Sequence, residues 1–106
     1  MAIEARRIPG AHGVTVEHVI NTAFEVIDRV MQENGLLEKA NPSGADLMPF
    51  QSDVNRGVHQ AIHDLPHDVW VRIGSAVTSE ERPGWWHIVV DVEQRTTLGQ
   101  GSYELV

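Results

Sequence analysis

The longest periodic pattern of apolar residues lies in residues 16–34, VEHVINTAFEVIDRVMQEN. Its apolar positions recur at intervals of three and four: Val16, Val19, Ile20, Ala23, Phe24, Ile27, Val30 and Met31. This spacing predicts an amphipathic helix. We expect Thr15 to be its N-cap, with Glu17 in the first turn, and Gly35 to follow its last residue.

A second helical pattern follows a polar stretch with Pro42, Gly44 and Pro49, which we interpret as a loop over residues 38–49. We expect the second helix to begin after an N-cap at Ser52 and to end before Pro66, because proline disfavours helix at the preceding residue. Its predicted buried positions are Val54, Val58, Ala61, Ile62 and Leu65.

The last third of the chain alternates between apolar and polar residues, which predicts strands. The segments are VWVRIGSAV (69–77), WWHIVVDVEQR (85–95) and SYELV (102–106), with turns expected at SEERPG (79–84) and TLGQG (97–101). Short turns favour an antiparallel meander, and residues 2–8 (AIEARRI) could add a short first strand. The sequence therefore predicts a single α+β domain over residues 1–106. In it two helices pack on an antiparallel sheet of three to four strands, in the order β-α-α-β-β-β.

One register satisfies the first predicted hairpin. It pairs Val77 with Trp86, Ile73 with Val90 and Val71 with Val92 on the core side. On the other side it pairs Arg72 with Asp91, a cross-strand charge pair. Adjacent residues of a strand point to opposite faces, so we expect Trp86 in the core and Trp85 and Trp70 on the outer face.

Composition narrows the classes of function. The chain has 106 residues, a net charge of −7, 15 acidic and eight basic side chains, and no cysteine. Disulfides and thiolate chemistry are excluded, and without a basic stripe we expect no direct nucleic-acid binding. We expect no membrane partner, because no apolar run approaches the ~20 residues of a bilayer span. The N-terminus lacks the apolar segment of a secretory signal. We therefore expect a cytoplasmic protein, or a virion component made in the host cytoplasm, with no cofactor.

The histidines raise a metal hypothesis. His59 and His63 stand four residues apart, so on one helix face both rings could reach one metal ion. A third ligand would have to come from His67 or Asp68, and Pro66 separates both from the helix. The alternative interpretation is that the pair forms a polar flank beside the Val58–Ile62 stripe.

A second hypothesis concerns acid–base chemistry. His87 is expected on the same sheet face as Asp91 and Glu93, near Arg72, where it could act as a general base if that face formed a cleft. A solvated strand face or an interface are the alternatives. The sequence contains neither a nucleophile elbow nor a phosphate-binding loop, so it favours no enzyme and predicts no catalytic residue.

The aromatic residues favour protein contacts. We expect an interface on the outer sheet face and the last strand, formed by Trp70, Arg72, Trp85, His87 and Tyr103. Exposed Trp and Arg are typical interface anchors, although the 38–49 loop could cover them instead. The last strand lacks edge guards other than Glu104, so it could pair with another subunit.

The sequence thus favours a non-enzymatic assembly or adaptor subunit that binds other protein subunits, with a homo-oligomer expected. In outline, a helix followed by an acidic hairpin with aromatic residues is similar to small phage tail-completion proteins and to accessory proteins of other assemblies. That resemblance implies a structural role in a homo-oligomeric or phage-like assembly. The alternatives are a small metal-binding protein or enzyme using His59 and His63, and a small acidic inhibitor of a basic partner.

Overall fold

The computed structural model of the chain describes residue 8 and residues 13–38, 43–82 and 85–105, without the side chains of Thr96, Tyr103 and Leu105. The helices are α1 (Val16–Glu33), α2 (Gly44–Leu47) and α3 (Gln51–Ala61), with short 3-10 turns at Leu36–Glu38 and Met48–Phe50. The strands are β1 (Trp70–Thr78), β2 (Trp86–Gln94) and β3 (Thr96–Leu105).

These elements confirm the α+β class, with two helical units and an antiparallel sheet of strand order β1-β2-β3. The order of the described elements is α-α-β-β-β and not the β-α-α-β-β-β that we predicted. The predicted first strand lies, except for Ile8, outside the described residues. Among those residues, no helix is both long and apolar enough to cross a membrane.

Helix α1 forms where its pattern predicts. The hydroxyl of Thr15 accepts a hydrogen bond from the backbone N–H of His18 at 3.1 Å, as expected of an N-cap. Gly35 has a φ of +67°, the left-handed conformation that commonly follows a helix end. The apolar stripe is buried against the sheet and α3, with Phe24 partly buried and Val26 added to the stripe.

The second helical unit begins earlier than predicted. Ser43 donates its backbone N–H to the Asp46 carboxylate at 2.9 Å, which stabilises the first turn of α2 within the segment that we interpreted as a loop. The chain then continues through the Met48–Phe50 turn directly into α3. Pro49 fits in this turn, because a helical first turn does not need its N–H. Ser52 is therefore not an N-cap.

The same unit also ends earlier than predicted. Its last helical residue is Ala61, and Ile62 follows in an extended conformation with its side chain buried in the core. The chain turns there instead of at Pro66, because burial of Ile62 and Leu65 against the core requires it to leave the helix axis. Ala61 is exposed, and His63 lies beyond the helix.

The register of the β1–β2 hairpin is confirmed in its first half only. Val71 pairs with Val92, Arg72 with Asp91 and Ile73 with Val90, as predicted, and a β-bulge at Gly74 then shifts the pairing by one residue. Val77 consequently pairs with His87 instead of Trp86 and is 52% exposed. The predicted burial of Trp86 is confirmed. The bulge reverses the expected facing of every β1 residue beyond it.

The predicted turn at residues 97–101 is wrong. The β2–β3 turn is tight and centres on Arg95, which has a φ of +68°, so these residues belong to β3. A Cβ atom at Gly99 would overlap Cγ1 of Val16 on α1. We infer that this glycine lets the helix approach the sheet closely and does not mark a turn.

Both helices pack on one face of the sheet. The buried apolar residues of α1, α3 and all the inward positions of β1 and β2 form one cluster. The opposite face carries Arg72, Val77 and His87 in contact with solvent. Gly44 of the 38–49 segment packs against the backbone carbonyl of Ala76 on β1.

Candidate functional site

Three polar side chains of α3 bind the backbone of β1 and of Val69 just before it, along the edge that no described strand occupies. Gln51 accepts from the N–H of Ile73 and donates to the carbonyl of Val71, each at 2.7 Å. Asn55 accepts from the N–H of Val71 at 3.0 Å. His59 Nε2 lies 2.8 Å from the carbonyl oxygen of Val69. The spacing of four residues puts these side chains on one helix face, so α3 takes the place of a neighbouring strand.

This contact defines the state of the His59 ring. A carbonyl oxygen only accepts hydrogen bonds, so Nε2 of His59 must carry the proton that it donates to Val69. In the neutral ring Nδ1 is then the acceptor nitrogen. His59 therefore has a structural role at the strand edge and keeps one nitrogen for other chemistry.

An open groove of about 430 Å³ lies between α3, the turn that follows it and the start of β1. Its lining consists of Ser52, Asn55, Arg56, His59, His63, Leu65, His67 and Trp70. The groove brings together the three histidines that are spaced by four in the sequence, although His63 and His67 lie outside the helix. Within the described ranges, no group of three potential metal ligands is placed to hold one ion. The His59 and His63 metal hypothesis stays a prediction.

On the outer sheet face a polar network joins all three strands. Arg72 of β1 contacts Asp91 of β2 at 3.2 Å and Glu93 of β2 at 3.1 Å. Gln100 of β3 donates its amide to the other oxygen of Asp91. The predicted proximity of Arg72 and Asp91 is confirmed. Asp91 is nearly buried, however, because Gly74 leaves space for its carboxylate: a Cβ there would lie 2.9 Å from Asp91 Oδ2.

A second cluster lies at the hairpin end of the same face. The Arg82 guanidinium stacks over the Trp85 ring at 4.8 Å and contacts Glu104 of β3 at 3.0 Å. His87 Nδ1 is 3.9 Å from the same carboxylate. His87 thus faces Glu104, while Asp91 is occupied by Arg72 and Gln100.

The predicted interface residues fall into two groups. Trp70 and Arg72 lie near the start of β1, whereas Trp85 and His87 lie at the hairpin end, roughly 20 Å away at about 3.4 Å per residue. Trp70 stands at the corner between the outer face and the groove. The side chain of Tyr103 lies outside the described structure; its backbone pairs with Ile88.

Sequence reasoning missed the edge contacts of Gln51 and Asn55 and the part played by Gln100. One signal was present: Gln51, Asn55 and His59 repeat at four-residue spacing beside the buried Val54–Val58 stripe. Donor and acceptor side chains at that spacing are suited to an exposed strand edge. A comparison with protein-family models, curated proteins and solved structures found no match to this chain.

We predict that Gln51→Ala lowers the free energy of unfolding by about 1–3 kcal/mol, because it leaves two backbone groups of the β1 edge without a partner. Urea unfolding measures the loss, and hydrogen exchange should show reduced protection of the Ile73 amide. The matched control is Gln60→Ala, an exposed position of the same helix. Equal stability of the two variants would contradict the edge role.

We further predict that Asp91→Ala is more destabilising than Glu93→Ala. Both carboxylates contact Arg72, but the Asp91 side chain is 9% exposed and the Glu93 side chain 30%. Loss of Asp91 also removes the acceptor of Gln100, so we expect a cost of about 1–3 kcal/mol. The more solvent-exposed Glu93 pair should contribute less than about 1 kcal/mol. Urea unfolding of the two variants tests this order, and a reversed order would refute the network.

Proposed function

We propose that this chain is a non-enzymatic assembly subunit that associates with further copies through the outer face of its sheet. The observation that carries the proposal is the exposure of two large apolar side chains, Trp70 at 42% and Val77 at 52%, on the face opposite the helices. Burial of such side chains in an interface is favourable. The role fits a repeating component of a homo-oligomeric or phage-like assembly, in the cytoplasm or in a virion made there.

The charges of this face support association. Its carboxylates are matched by arginines: Asp91 and Glu93 contact Arg72, and Glu104 contacts Arg82. A face whose charges are already paired carries a smaller repulsion between like copies than the net charge of −7 suggests. The same pairing argues against this face as the concentrated acidic patch that an inhibitor of a basic partner needs.

The strand edges also support it. The side chains of α3 bind the β1 edge, whereas β3 is the other edge strand of the described sheet. An edge strand offers backbone donors and acceptors to a strand of another subunit. Contact through β3 would extend the sheet and place two outer faces side by side.

The contacts of His87 favour an interface over acid–base catalysis. Its ring is near Glu104, and the carboxylate of Asp91 is engaged by Arg72 and Gln100 on the same face. A general base needs an accessible lone pair within reach of a bound substrate. The described outer face presents these groups on a sheet surface, which is suited to a partner of matching shape.

The proposal predicts that the mass in solution exceeds that of the 11.8 kDa chain and rises with concentration. Val77→Glu should reduce it toward the monomer, because the new charge would have to be buried in the interface. Light scattering over a concentration series measures both. Gln60→Glu is the control, since it adds the same charge at an exposed position on the helical side.

A wild-type protein that stays monomeric at millimolar concentration would contradict self-association. Equal effects of Val77→Glu and Gln60→Glu would contradict the outer face as the interface. Circular dichroism spectra of both variants verify that the fold is retained.

A metal site is the second candidate, since His59, His63 and His67 line one groove, although no three potential ligands among the described residues are placed to hold one ion. A metal-binding histidine commonly donates its second ring N–H to a carbonyl, as His59 does to Val69. This candidate predicts that Zn²⁺ or Ni²⁺ raises the melting temperature and that His63→Ala abolishes the rise. An unchanged melting temperature across the titration would end it.

A further inference from the structure

We propose that the groove between α3 and the start of β1 binds a small organic anion that carries a flat ring. The groove shares Trp70 with the proposed interface but lies apart from the hairpin end of the outer face, so this inference goes beyond assembly. Its lining contains one arginine, three of the six histidines, a tryptophan and a leucine, and no carboxylate. In a chain with 15 acidic side chains, a concave surface lined in this way is complementary to negative charge.

The aromatic side of the groove determines the shape of ligand that it accepts. Trp70 is 42% exposed, and the lining also contains the buried Leu65. Together they offer an indole face and an apolar floor to a planar ring. The volume of about 430 Å³ lies within the range of about 300–1,000 Å³ typical of small-molecule sites.

The polar side supplies donors for the charged group. Arg56 presents a guanidinium that suits a phosphate or carboxylate. Its present partner is Asp53 at 3.4 Å on the same helix, in an exposed pair that holds the side chain only loosely. His63 and His67 are exposed, and each can donate an N–H to the ligand. His59 is held by the Val69 carbonyl and forms part of the groove wall contributed by α3.

The parts of the groove are therefore unequal in rigidity. The side chain of His59 and the amide of Asn55 are held by the backbone of Val69 and Val71, so the wall formed by α3 is in place before a ligand arrives. The exposed side chains of Arg56, His63, His67 and Trp70 are oriented when the ligand binds. A partly preformed site loses less conformational entropy on binding.

The test uses phenyl phosphate as the probe. Inorganic phosphate and phenol test its charged group and its ring separately. Benzoate carries a carboxylate in place of the phosphate. Titrations of the full chain are followed by NMR, on the indole N–H of Trp70 and on the ring signals of the histidines. They are run at pH 6, once with and once without EDTA. We expect saturable binding of phenyl phosphate at least about tenfold tighter than that of either half. The affinity for benzoate, compared with that for phenyl phosphate, shows whether the groove prefers a carboxylate or a phosphate.

Two variants and one matched control locate the site. Arg56→Gln should weaken phenyl phosphate but not phenol, and Trp70→Leu should weaken phenol and phenyl phosphate but not inorganic phosphate. Arg82→Gln is the control, because Arg82 also stands beside a tryptophan, Trp85, but at the far end of the sheet and away from the groove. It should leave all affinities unchanged.

Three results would overturn the proposal. The first is the absence of saturable shifts with both phenyl phosphate and benzoate at millimolar concentration. The second is an equal loss of affinity in Arg82→Gln and Arg56→Gln, which would indicate a non-specific effect of the protein's net charge instead of binding in the groove. The third is binding that vanishes with EDTA and survives in Arg56→Gln, which would assign the groove to a metal ion. Because Val77 lies outside the groove, Val77→Glu tests self-association independently of these outcomes.

Discussion

The pairing of α3 side chains with the open edge of β1 is the interaction on which the rest of the structure depends. An edge strand has backbone groups that need partners, and Gln51, Asn55 and His59 supply them from a helix. This contact fixes the orientation of α3 against the sheet, so the chain must leave the helix at Ala61 to return to the start of β1. The segment between Ala61 and β1, which contains His63, Leu65 and His67, then forms the wall of the groove opposite α3.

The sheet is consequently asymmetric. One edge is occupied by side chains from within the chain, and one face is occupied by α1 and α3. On the outer face of the described sheet, Arg72 and Arg82 contact the carboxylates around them. A net negative protein can therefore present a face with little uncompensated charge.

The fold class, α1 and the strand pairing near Arg72 could be predicted because each depends on periodicity over many residues. The errors arose where one contact distant in sequence outweighs the local pattern. Gly74 shifts the register because the Asp91 carboxylate occupies the space beside it, and Gly99 lies in a strand because Val16 packs over it. The histidine spacing predicted one helix face for His59 and His63 and a separate place for His67. In the structure His63 lies beyond the helix, and all three histidines line one groove.

His59 shows why spacing alone does not decide function. Four-residue spacing suits a pair of metal ligands, a polar helix flank and a set of strand-edge partners equally well. The competing demands can be ranked by what each would leave unsatisfied. A missing metal costs the fold nothing, whereas a buried strand carbonyl without a donor costs about 1–3 kcal/mol. The edge contact of His59 is therefore the constraint met in the folded chain, and a ligand that binds this ring has to use Nδ1.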